Sequence, residues 1–342
     1  MAGPPDRTVR RAGDTAAAVS FVAGYRLDRA PVDSVEPLDT DRHLGELVHH
    51  KLVGVARAAM DAGDLFVDRP DALVEAHERA LAEALVFEDA MLGAVAALTA
   101  AGIDARVLKG SALVKGLDTD PSERMVDTTE LLVRDDALSA AASAMEDAGA
   151  HRVLCGASDA FEQRFAASIT MRWHDTELDL QRTLAPGPYG LMIESRDLFE
   201  RSASFDLAGH SLPTLPLETH LIHAAIHAAL GHAEPRLGDV RDIAALLAHD
   251  LDLDLIMRSV ERWRCTHPFA LGLQQATAIG AADHALLDWA EAHRPGRSDR
   301  RTLATYRAGA DGLPAQTFAS LRVLGWRDRL AYVRALTTTR RG

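Results

Sequence analysis

Lys109, Gly110 and Ser111 stand together at the end of a short apolar run, ARVL, and SALVKGL follows them. A strand that ends in a Lys-Gly-Ser turn and enters a helix lets backbone N–H groups approach an anion. The lysine ammonium adds positive charge to that approach. Carboxylates able to hold a cation lie on two later segments. Asp127 and Glu130 belong to MVDTTELLV, and Asp179 belongs to ELDLQ, where Glu177, Asp179 and Gln181 share one strand face. Carboxylates two apart on a strand, joined by one from a neighbouring strand, can hold divalent ions. His220, His223 and His227 fall on one helix face, with His232 beyond them and Asp242 on the next helical segment. No acidic residue completes an HExxH arrangement, so His223 and His227 are read as packing beneath or lining a cleft rather than binding a metal. Asp242 is placed either to orient one of these imidazoles or to pair with Arg236 or Arg241. Ser111 lacks the GxSxG surroundings of a hydrolase nucleophile.

The elements that must position these groups are legible from periodicity. Residues 1–20 begin with Pro, Gly, Asp and Arg without period and read as a disordered arm. Residues 21–101 read as helical. Within them 71–101 is one long helix whose stripe of Leu73, Ala80, Leu81, Leu85, Phe87, Met91, Val95 and Leu98 is expected to be core. The period changes over 102–216: strands at 103–108 and 125–133, a helix over 135–148, one or two strands in ITMRWHDTELDLQRTL, a loop at APGPYG and a hairpin turning at Gly209. From 217 to 342 the pattern is helical again. The expected fold is α+β, a small mixed sheet flanked by N- and C-terminal helical regions.

Composition bounds the rest. The 342 residues are 47% hydrophobic and 25% charged, the mixture of a globular chain. A net charge of −13 repels nucleic-acid backbones and anionic membranes, so a phosphate site must be a local positive pocket, and neither a nucleic acid nor a membrane is expected as partner. The two cysteines, Cys155 and Cys265, build neither a disulfide framework nor a four-cysteine zinc site. No signal-peptide core and no apolar run of about 20 residues is present, so the chain is expected to be cytoplasmic. Lysine occurs only at Lys51, Lys109 and Lys115, every other basic side chain being arginine. A lysine that survives such a bias marks a place where a compact ammonium suits the site.

GIDARVLKGSALVKGLDTDPSERMVDTTELLVRDD resembles the core of the uncharacterised nucleotidyltransferase family, whose fold is polymerase-β-like. Lys109-Gly110-Ser111-Ala112 matches the family's turn, Arg124 its loop arginine, and Leu131-Leu132-Val133 its strand end. Asp179 fits its third carboxylate, and His223, His227, His232, Arg236, Leu237 and Asp242 follow the order of its C-terminal helices. The resemblance spans about residues 20–250. It implies transfer of a nucleoside monophosphate from an NTP, with Mg²⁺ or Mn²⁺, to a small-molecule, peptide or protein acceptor. Lys109, Gly110, Ser111 and Arg124 would hold the nucleotide, and Glu130, Asp179 and Asp127 would hold metal. Thr128, His223, His227 and Asp242 would line the cleft. The chain departs from the family at its Asp-x-Asp motif, which falls on Thr128 and Glu130. That departure leaves open a ligand- or partner-binding protein without turnover, or a relative with other chemistry in a bacterial specialised-metabolite pathway.

Overall fold

The computed structural model describes residues 17–27, 37–117, 120–126, 128–153, 159–174, 176–231, 235–307, 317 and 320–337. Among the described residues four helices come first: α1 (Ala17–Gly24), α2 (Thr40–His49), α3 (Val53–Asp61) and α4 (Pro70–Ala100). Helix α1 begins inside the expected arm because Ala18, Val19, Val22 and Ala23 bury an apolar face against Leu47, Val53 and Ala56. Pro70 opens α4, where its fixed φ suits the first turn, and Ala101 and Gly102 close it.

The α/β block runs β1 (Ala105–Leu108), α5 (Gly110–Gly116), β2 (Thr129–Val133), α6 (Leu138–Asp147), β3 (His151–Arg152), α7 (Asp159–Arg164), β4 (Ser168–Trp173) and β5 (Thr176–Gln181). Then come α8 (Gly187–Gly190), α9 (Ser195–Glu200), β6 (Ala203–Leu207) and β7 (His210–Thr214). Among the described residues the sheet has seven strands in the order β3-β4-β5-β2-β1-β7-β6. Strand β2 pairs parallel with β5 and β1 parallel with β7; the other pairings are antiparallel. The strand expected over 125–133 starts only at Thr129, Met125 and Val126 lying in irregular chain before it. The expected loop APGPYG closes in the short helix α8, and β3 and α7 occupy a stretch with no clear pattern.

Helices complete the chain: α10 (Leu217–Leu230), α11 (Leu237–Leu247), α12 (Leu253–Arg262), α13 (Thr266–Ala278), α14 (Ala285–Ala292), α15 (Arg297–Arg307) and α16 (Trp326–Thr337). Alternation along β2 and β5 sorts the sheet into two faces. Leu131, Val133, Leu178 and Leu180 pack against Met91, Ala94 and Leu98 of α4 and Leu138, Ala142 and Met145 of α6. Leu108 and Leu132 belong instead to the cluster containing Leu221, Ile222 and Ala225 of α10. Helix α4 bridges two cores: Leu73 and Ala76 join the N-terminal helices, and Met91 to Leu98 join the sheet. Between those cores the stripe is not fully covered: Leu85 is exposed and Leu81 and Phe87 are half-buried where the sequence stripe suggested core. Among the described residues no helix is long and apolar enough to cross a membrane.

Candidate functional site

The site begins at a distorted turn. Lys109 follows β1 with φ 44° and ψ −150°, and Gly110 follows with φ 41°. A left-handed φ is uncommon for a side-chain-bearing residue and costs on the order of 1–3 kcal/mol unless the surroundings impose it. A Cβ on Gly110 would lie 3.3 Å from Val126 Cγ1, so the turn has little room for a larger residue. The turn aims the Lys109 side chain across the sheet. Its Nζ donates to Glu130 Oε1 at 3.0 Å and to His227 Nδ1 at 3.1 Å.

Glu130 is supplied by β2 and Asp179 by β5. The parallel register sets Glu130 beside Asp179, and antiparallel pairing sets Thr170 on the far side of Asp179. In-register residues on adjacent strands share a face, so the carboxylates are lateral neighbours. Asp179 Oδ1 accepts from Thr170 Oγ1 at 2.6 Å. Burial pushes the Asp179 carboxyl above its ordinary value and the Glu130 charge adds to the rise, while Thr170 and Lys109 oppose it. Glu130 is 8% exposed, and its Oε2 is buried without a hydrogen-bond partner. Thr128 is exposed and, with Thr170 and Asp179, lines an open groove of about 740 Å³ that also includes Val86 and Phe87 of α4. Asp127, Cys155 and His232 lie outside the described residues.

Helices α10 and α11 cover Lys109 from the other side. Because a lysine ammonium only donates, Nδ1 of His227 is the acceptor and its proton sits on Nε2. That nitrogen faces Asp239 Oδ2 at 3.6 Å, longer than a hydrogen bond, and Asp239 Oδ1 accepts from Lys51 Nζ at 3.2 Å. Burial opposes the Asp239 charge, but His227 and the Lys51 ammonium outweigh it and hold the carboxyl well below its ordinary range. Burial and the Lys109 ammonium lower the His227 imidazole. His223, one turn away, is buried behind it and pushed lower still, first by burial and then by Lys109. His220 is structural: Thr214 Oγ1 donates to Val107 O at 2.6 Å and so accepts from His220 Nε2 at 2.9 Å.

Several expected roles change. Ser111 is 3% exposed and its hydroxyl turns inward to Glu88 Oε1 at 3.2 Å, so the side chain is committed to α4. Arg124 forms a two-pronged pair with Asp242, its Nε donating to Oδ1 at 2.6 Å and its Nη2 to Oδ2, and Nη1 donates to Met125 O. Asp242 therefore neither orients an imidazole nor pairs with Arg236 or Arg241, because the planar Arg124 fork takes both of its oxygens. The carboxylate facing an imidazole is Asp239, three residues earlier on α11. Lys51 and Asp239 were not singled out by motif, although the scarcity of lysine already pointed to Lys51.

For a divalent cation, the unpartnered Glu130 Oε2 and the neighbouring Asp179 form a donor pair whose chemistry fits one ion. Thr128 offers only a neutral hydroxyl toward a second. Among the described residues no three His, Cys, Asp or Glu side chains converge as a ready-made cage.

A family model described as uncharacterised nucleotidyltransferase matches residues 36–280. No curated protein matches the chain. Among solved structures, the chain is similar to an antigenic nucleotidyltransferase-like protein from Paracoccidioides brasiliensis. The two are 12% identical, the match covers 58% of this chain and 92% of that one, and the TM-score is 0.31.

Proposed function

Because the chain belongs to the uncharacterised nucleotidyltransferase family over residues 36–280, we propose that it moves a nucleoside monophosphate from an NTP to an acceptor with Mg²⁺ or Mn²⁺. The acceptor is a small molecule, peptide or protein, since a net charge of −13 opposes a nucleic acid. The observation that carries the reading is the side-by-side placement of Glu130 and Asp179, with a free buried oxygen on one, a raised pKa on the other, and Lys109 against them.

Glu130 and Asp179 would hold the ion. When bound, it neutralises charge on the reacting phosphoryl group and makes phosphorus more electrophilic. Mg²⁺ commonly takes one or two carboxylates and fills its shell with water and substrate phosphate, so two protein ligands suit it. Lys109 supplies a fixed ammonium to the phosphate oxygens, and the Gly110 turn keeps the approach clear of a Cβ. Asp179, with Oδ1 satisfied by Thr170 and its pKa raised, has Oδ2 to take the proton from the acceptor hydroxyl.

A second reading, binding without turnover, is favoured by one observation: Lys109 already satisfies Glu130 Oε1, and Thr128 brings no charge. Calorimetric titration of ATP, GTP, CTP and UTP, with Mg²⁺ and then with EDTA, separates the two. The transferase reading expects binding that needs the metal and weakens at least about tenfold, ~1.4 kcal/mol, in Glu130→Gln and Asp179→Asn. Binding indifferent to EDTA and to both substitutions supports the second reading. No binding of any NTP refutes both nucleotide readings.

A further inference from the structure

Lys51 lies in the turn between α2 and α3, far in sequence from the Lys-Gly-Ser turn, yet two backbone features hold it at the same cluster. Its φ is 59°, a left-handed value for a side-chain-bearing residue, as at Lys109. Gly238, at the start of α11, comes so close that a Cβ there would lie 2.7 Å from His50 O and 3.0 Å from Lys51 Cβ. Gly238 N–H also donates to His50 O at 2.8 Å. A left-handed backbone and a close approach open only to glycine hold this ammonium against a buried carboxylate, Asp239, 6% exposed.

Beside Lys51 is a cavity of about 90 Å³, lined among others by Arg124 and Arg241 and by the carboxylates Asp120, Glu123 and Asp242. The cavity is roomy enough to hold water and is therefore open to a small polar group. Lys51 and Lys109 flank the His227–Asp239 pair, one on each side.

We infer that Lys51 is a second phosphate-binding lysine, and that an NTP's terminal phosphates run from Lys109 past the His227–Asp239 pair to Lys51. This rests on the nucleotide reading above and assigns it a residue from the N-terminal helical region. Asp239 is built to release Lys51. Its Oδ2 is buried and lacks a hydrogen bond, while the Nε2–H of His227 stands 3.6 Å away. When phosphate oxygens take the Lys51 ammonium, Asp239 can close on His227 and remain paired. The exchange moves no covalent bond and needs no other reactant.

The test is the dependence of affinity on phosphate number. ATP, ADP and AMP are titrated with Mg²⁺ into the full chain and into Lys51→Met, Lys51→Arg and the charge-neutral pair Lys51→Met with Asp239→Asn, which guards against an unpaired buried carboxylate. The expected result is a loss for ATP of about tenfold in Lys51→Met and in the neutral pair, with AMP within about twofold of the parent and Lys51→Arg intermediate. A merely structural lysine would lower all three ligands alike, and that result overturns the inference. So does a parent-like ATP affinity in the neutral pair when Lys109→Met has lost it, which leaves the nucleotide reading intact. Failure of the parent to bind ATP overturns both.

Discussion

Replacing Asp242 by Asn should separate a structural clamp from a ligand-binding arginine. The Arg124–Asp242 pair is nearly buried, with side-chain exposures of 16% and 9%, and is joined by two parallel hydrogen bonds. Asn keeps the shape but removes the charge that faces the guanidinium fork. Breaking a buried pair by removing one partner costs roughly 3–5 kcal/mol. The cavity beside Arg124 admits water to the bared guanidinium, which places the expectation at the lower end, about 3 kcal/mol. At ~2.1 cal/mol/K per residue, 342 residues give ~0.7 kcal/mol/K at the midpoint, so Tm should fall by about 4 °C. Differential scanning calorimetry of the parent, Asp242→Asn, Arg124→Met and the double variant closes the cycle. The double variant should recover at least ~2 kcal/mol of the summed single losses, because it buries no lone charge. A Tm for Asp242→Asn within ~1 °C of the parent, or strict additivity in the cycle, would refute the claim that the two side chains act as one buried unit.

Three further outcomes follow from the geometry. His220 is held neutral by burial with its pKa lowered to about 4. The unfolded chain, near 6.5, then binds more protons between those values, so stability is full above pH 6.5 and falls toward pH 4, at up to about 1.4 kcal/mol per pH unit. Urea melts at stepped pH should show at least that slope, because buried His223 and His227 add theirs, and His220→Gln should lower it by about one such contribution; a parent with equal stability at pH 7 and pH 4.5 contradicts the assignment. Gly110→Ala forces a side chain onto a φ of 41° beside Val126 and should cost about 1–2 kcal/mol by chemical denaturation, together with loss of metal-dependent NTP binding. Ser111→Ala removes one hydroxyl that donates to Glu88, so stability should drop by about 1 kcal/mol while NTP affinity stays within about twofold; a tenfold loss of affinity would mean the hydroxyl faces the ligand instead.

What periodicity could reach, it reached closely. Helix α4 was expected at 71–101 and is found at Pro70–Ala100, and the hairpin turns at Gly209. ELDLQ put Asp179 and Leu178 on opposite faces, as the strand does. These are local properties, decided by side-chain spacing along one element. The choice of partner is not local. Nothing in the spacing around Arg124 says that its fork meets Asp242 rather than a phosphate, because that depends on where α11 folds back. The Gly-Ser turn points to Ser111 as a nucleotide-holding residue, but the sequence does not say that α4 passes close enough for Glu88 to take the hydroxyl. The buried stripe of α4 failed at Leu85 for the same reason: periodicity marks a face but not whether a neighbour arrives to cover it.

The chain separations within the cluster have a kinetic meaning. Lys51 meets Asp239 across 188 positions, Lys109 meets His227 and Arg124 meets Asp242 across 118, and Arg241 reaches back to Ala23 across 218. Contacts of that range close large loops and form after hairpins and helices that are already local. The pairs joining Lys51, Lys109 and Arg124 to α10 and α11 therefore belong to the late side of the folding barrier. Substitutions there should leave the refolding rate nearly unchanged and speed unfolding. Pairing of β1 with β2 would bring Lys109 beside Glu130 early, while Lys51 and Arg124 would stay apart from Asp239 and Asp242 until α11 docks, so the complete charge-balanced cluster would exist only in the finished chain.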